Sequence, residues 1–167
     1  ITDKTNEFDE NSIILISDLD EIPSRESIKF IKGCDFQFIQ PLVFDQKLFR
    51  LNCNYLIKEK WLGTVAVLNK VFKKYSPQFF RTNIKGFSMI ANSGWHFSSF
   101  GGVDRVIKKF DAFAHTEFNT EQFKDKNHIK NCINSGEDIF KRNSKIQKVD
   151  KDIFPKELLD LLNKDSK

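Results

Sequence analysis

The sequence predicts an α/β fold, a mixed sheet with flanking helices, from three observations. Ile13-Ile14-Leu15-Ile16 is a short apolar run bounded by turn chemistry, which reads as a strand covered on both faces. Later segments divide between strand-length apolar runs and stretches with apolar residues at helical spacing. Asp18, Asp20, Glu21 and Pro23 follow the first run at once, which puts acids at the carboxyl end of a strand, where open α/β sheets bind ligands.

The elements follow in order. Ser24 caps a helix over 25–32 and Gly33 stops it. Residues 35–44 alternate and then run apolar, as a strand broken by Pro41. A second strand is expected at 48–57 and, after a turn at Lys58-Glu59-Lys60, another at 61–68. Ser76-Pro77 opens a helix, because proline is tolerated in the first turn. The chain then looks extended at Phe87–Ala91 and Trp95–Ser98. From Gly102 to Ala114, Val103, Val106, Ile107, Phe110 and Phe113 form one helical stripe, with Asp104, Lys108, Lys109 and Asp111 off it. Asn119 and Gln122 form a capping box for a helix ending at Gly136, and Pro155 introduces a last, leucine-rich helix.

Composition narrows the function classes. A chain of 167 residues, 40% hydrophobic with 18 Phe, fits one globular domain over 1–167. No apolar run approaches the roughly 20 residues of a membrane span, and no signal-peptide pattern is present. The expected location is therefore cytoplasmic or peripheral to a membrane, with room for a leader or anchor upstream because the chain begins at Ile1. The net charge is +4, but the lysines are scattered and form no block of like charge, which argues against a nucleic-acid partner. Cys34, Cys53 and Cys132 show no metal-binding spacing and read as free or buried thiols.

Two constellations carry chemistry. Asp18 and Asp20 offer hard oxygen ligands to one divalent cation, the alternative being an acidic loop that caps the next helix. Asn92 to Gly102 gathers glycines and serines around Trp95-His96, a close-approach loop in which Trp95 would stack on a sugar and His96 bind a metal or a polar group; a core aromatic beside a satisfied histidine is the alternative. His115-Thr116-Glu117 is a further polar cluster.

These residues also carry a resemblance. Asp18-Leu19-Asp20-Glu21-Ile22-Pro23-Ser24-Arg25, Trp61-Leu62-Gly63-Thr64, Gly94-Trp95-His96-Phe97-Ser98, Gly101-Gly102, Lys109 and His115-Thr116-Glu117-Phe118-Asn119 occur in the order seen in glycosyltransferase family seventeen. The sequence resembles that family over roughly 13–142, with 143–167 as a C-terminal extension. The resemblance implies a GT-A-like fold, a UDP-sugar donor such as UDP-GlcNAc, a glycan acceptor, Mn²⁺ or Mg²⁺ at the DxD acids, and inverting transfer. It implies Asp18 and Asp20 as metal ligands, with His96 or His115 assisting at the metal or diphosphate. Trp61, Trp95, His96, Lys109, His115 and Arg25 are the implied substrate-binding residues. Asp104, after the Gly101-Gly102 turn, ranks first as general base, with Glu117 and Glu21 in reserve. In a GT-A fold several nucleotide-binding β-α units precede the DxD strand, whereas 17 residues precede Asp18 here. The expectation is thus a carboxyl-terminal portion of the fold, with uridine and ribose contacts upstream of Ile1. A DxD phosphohydrolase and a non-catalytic glycan-binding module are the alternative functions.

Overall fold

A computed structural model of the protein describes residues 5–34, 40–112 and 120–164. The elements are β1 (Ile13–Ile16), β2 (Glu21–Pro23), α1 (Arg25–Gly33), β3 (Leu42–Arg50), β4 (Tyr55–Leu68), α2 (Asn69–Phe72), α3 (Pro77–Thr82), β5 (Ser88–Ile90), β6 (Gly94–Ser98), α4 (Gly102–Asp111), α5 (Glu121–Lys124), α6 (Lys126–Ser135), β7 (Ile146–Lys148) and α7 (Lys156–Lys164). The strands form one sheet in the order β1-β4-β3-β6-β2, with β5 beside β3 and β7 beside β4. β1 and β7 run antiparallel to β4, β2 antiparallel to β6, and β5 parallel to β3. The predicted mixed α/β fold is therefore the fold observed, in keeping with a GT-A-like architecture.

The chain forms two compact units, residues 1–47 with 60–96 and residues 48–59 with 97–167. In the first, alternation along the strands feeds two apolar clusters. Leu42, Phe44, Ala66 and Leu68 pack with Ile31 of α1, while Val43, Val65 and Val67 pack with Phe72 of α2 and Phe80 of α3. Local chemistry starts both longer helices of this unit, since Ser24 Oγ accepts from Ser27 N and Ser76 Oγ from Phe79 N.

In the second unit, Val106 and Phe110 of α4 meet Ile129 and Cys132 of α6, with Leu51 and Ile139. The stripe read from the sequence is the buried face, and Asp104, Lys108 and Asp111 are exposed. Phe113 lies outside the described residues. All three cysteines are free, and burial, followed by the charges of Glu137 and Asp138, pushes the Cys132 thiol pKa up.

Three local expectations differ from the structure. Among the described residues β1 is an edge strand rather than one covered on both faces: its neighbour there is β4, and Leu15 is 40% exposed. Lys58-Glu59-Lys60 is not a turn but lies inside the 14-residue β4, exposed, with Lys58 N donating to Lys145 O and Glu59 Oε1 accepting from Lys145 N. The turn falls at 51–54 instead, where Leu51 has φ 68° and Asn52 Oδ1 accepts from Asn54 N at 2.8 Å. The helix expected up to Gly136 is two helices, because Asp125 starts the second by accepting from His128 N at 2.6 Å; Gly136 ends it with φ 79°, and Asn119 lies outside the described residues.

Candidate active site

The site is built at the end of β1 in the first unit. Ile16 pairs with Val65, so the chain leaves the sheet beside Thr64, and Ser17 Oγ meets Thr64 Oγ1 at 2.8 Å. Residues 18–21 then turn, Glu21 N donating to Asp18 O at 3.1 Å. The turn delivers Glu21 to β2 directly opposite His96 of β6, so the two side chains share a face.

Glu21 is the hub. Its side chain is fully buried, and it accepts from Trp61 Nε1 at 3.0 Å and from Asp18 N at 3.1 Å. Arg81 of α3 grips it bidentately, Nη2 to Oε1 at 3.0 Å and Nη1 to Oε2 at 3.1 Å. The same guanidinium donates from Nη1 to Gly63 O at 2.8 Å and from Nη2 to Asp18 Oδ2 at 2.6 Å. Burial alone would lower the Arg81 pKa, but its bonds to Glu21 and the Glu21 and Asp18 charges outweigh that and raise it above the ordinary value.

Asp20 lies 3.3 Å from His96 Nε2, and the imidazole packs at a tilt of 38° against Trp61 with centroids 4.2 Å apart. Among the described residues the buried His96 Nδ1 has no hydrogen-bond partner, and because a carboxylate accepts, a hydrogen bond to Asp20 calls for a proton on Nε2. The two aspartates differ from Glu21 in reaching solvent, with side chains 59% and 32% exposed for Asp18 and Asp20.

Gly63 makes this packing possible. A Cβ there would fall 1.9 Å from Gln46 Oε1 and 2.9 Å from the Glu21 carboxyl group, both of them buried side chains. Gly63→Ala is expected to cost about 1–3 kcal/mol, as overpacking does, and to lower Tm by several degrees in calorimetry. An unchanged Tm would mean that the Gln46 and Glu21 side chains yield without loss.

The structure brings Asp18, Asp20, Glu21, Trp61 and His96 together. Trp95 is adjacent to His96 but, by strand alternation, points to the other face and is 9% exposed. Arg25 is the exposed first residue of α1, below the Ser24 cap. Asp104 and Lys109 lie on α4 of the second unit, where Asp104 is 81% exposed and 3.2 Å from Lys126 Nζ. His115 and Glu117 lie outside the described residues. Arg81 was missed by sequence reasoning, being 63 residues from Asp18. A weak signal existed, since arginine is scarce in this lysine-rich chain and its planar fork suits a carboxylate.

Asp18, Asp20, Glu21, Trp61, Arg81 and His96 thus gather just beyond the carboxyl end of β1 in a mixed α/β fold. Residues 3–146 match the model of Glycosyltransferase family 17, most of the chain, and the protein belongs to that family. It is accordingly a glycosyltransferase by family, with a sugar donor and an acceptor as substrates. No curated protein and no solved structure matched the chain. Among the described residues no helix is long and apolar enough to cross a membrane.

Proposed function

We propose that the protein transfers N-acetylglucosamine from UDP-GlcNAc to a glycan hydroxyl with inversion, using Mn²⁺ or Mg²⁺ held at Asp18 and Asp20. The observation that carries this reading is the division of labour among the acids. Three carboxylates face the one guanidinium of Arg81, so the cluster keeps a net negative charge, and of the three only Asp18 and Asp20 reach solvent. Their oxygens suit a hard divalent cation. Among the described residues no group of three or more His, Cys, Asp or Glu is assembled to hold a metal. Two carboxylates, completed by substrate phosphates and water, are nevertheless a usual donor set for such ions. When bound, the cation supplies electrostatic stabilisation of the diphosphate leaving group.

The protein's own groups supply the rest. Trp61, half-buried and packed at a tilt against the buried His96, supplies an aromatic side chain beside the acids that suits a sugar ring. A carboxylate takes the proton of the acceptor hydroxyl as its oxygen bonds to the anomeric carbon, while the bond to UDP breaks and its electron pair leaves with the diphosphate; the family resemblance ranks Asp104 first for that role. Glu21 is less suited to that role, because accepting a proton would undo its fork with Arg81. Asp104→Asn is expected to lower kcat by about 10²–10⁴ with donor KM little changed. A raised donor KM with normal kcat would assign Asp104 to binding instead.

A further inference from the structure

Arg81 has no part in the reading above beyond offsetting Glu21, yet its geometry does more than offset a charge. The two Nη nitrogens carry four N–H groups, and all four are committed. Three go to fixed acceptors, the two oxygens of the fully buried Glu21 carboxylate and the carbonyl of buried Gly63. The fourth goes to Asp18 Oδ2, whose side chain is more than half exposed.

The base of Arg81 is equally fixed. Its neighbour Phe80 is fully buried, stacking on Phe72 at 6.0 Å and meeting Phe87 at 6.3 Å. A guanidinium held by three bonds to buried acceptors and by a packed helix is therefore the template, and Asp18 is the group positioned on it. Asp18 is also tied through its backbone N–H to the same Glu21 carboxylate, which fixes the backbone from which its side chain reaches Arg81.

We infer that Arg81 is a positioning residue for the cation site, fixing Asp18 through Oδ2 so that its other oxygen is presented to the ion; this rests on the proposed reading of Asp18 as a cation ligand. Carboxylates that bind metals are commonly oriented by such outer hydrogen bonds, and losing one typically costs 10- to 100-fold in affinity.

Removing Arg81 alone would mix two effects, since it also changes the local charge. The double variant Glu21→Gln with Arg81→Met separates them: one positive and one negative charge go together, and the carbonyl oxygen of the introduced amide still accepts from Trp61 Nε1. Mn²⁺ binding to the protein, followed by electron paramagnetic resonance of free Mn²⁺, is expected to weaken about 10-fold in the double variant. In turnover assays the Mn²⁺ concentration for half-maximal rate should rise in parallel. Arg81→Lys, which keeps the charge but loses the fork, is expected to weaken Mn²⁺ binding several-fold and serves if the double variant does not fold. Parent-like Mn²⁺ affinity in whichever of these variants folds would overturn the inference. Asp18→Asn, measured alongside, separates the two claims. If it abolishes Mn²⁺ binding while the Arg81 variants bind as the parent does, only the role of Arg81 fails. If Asp18→Asn binds as the parent does, the metal reading fails and the inference with it.

Discussion

Asp20→Asn is expected to reduce cation-dependent sugar transfer by about 10³-fold, on the order of 4 kcal/mol of transition-state stabilisation, with the fold preserved. The substitution removes charge while nearly conserving shape. Asn keeps an oxygen that can accept from His96 Nε2, 3.3 Å away in the parent, and the Asp20 side chain is 32% exposed, so no charged group is stranded in the core. What is lost is one of the three carboxylate charges that, facing the single guanidinium of Arg81, leave the cluster net negative. The check is kcat with saturating Mn²⁺ together with a melting curve. Full activity with an unchanged Tm would remove Asp20 from the site.

The second large effect concerns stability. Arg81→Met is expected to destabilise the protein by about 3–5 kcal/mol, because removing one partner of a buried ion pair leaves the other uncompensated. Glu21 is fully buried, whereas Arg81 is 20% exposed, so the stranded group would be the more costly one. A fall in Tm of roughly 10 °C follows for a chain of this size. Adding Glu21→Gln should recover most of the loss, since replacing both charges of a buried pair is often close to neutral. Denaturant titration of the parent, both single variants and the double variant measures this coupling directly. Equal losses for Arg81→Met with and without Glu21→Gln would show that Glu21 does not bear the cost.

The parts of the fold that were legible in the sequence are those fixed by local chemistry. Ser24 and Ser76-Pro77 announce the starts of α1 and α3 because a cap and a first-turn proline act within a few residues. The apolar spacing from Val103 to Phe110 gives α4 its buried face for the same reason. β4 was misread at Lys58-Glu59-Lys60 because three charged residues resemble a turn, whereas an exposed strand segment accommodates them, and the pairing of residues 55–57 with β7 is a long-range fact. The asparagines of the true turn, Asn52 and Asn54, were the better signal. At the site, the acids were visible as a pattern, but their separate environments were not. That Glu21 is buried and gripped while Asp18 and Asp20 reach solvent depends on Trp61, Gly63, Arg81 and His96, which come from other strands and another helix.

The most direct test of the account is UDP release from UDP-GlcNAc by the purified protein, measured with Mn²⁺, with a chelator, and against p-nitrophenyl phosphate as a competing substrate class. UDP release is expected to require the cation, to fall sharply in Asp20→Asn, and to have no counterpart on the phosphate ester. Release indifferent to chelator, or turnover of the phosphate ester in preference to the nucleotide sugar, would contradict it.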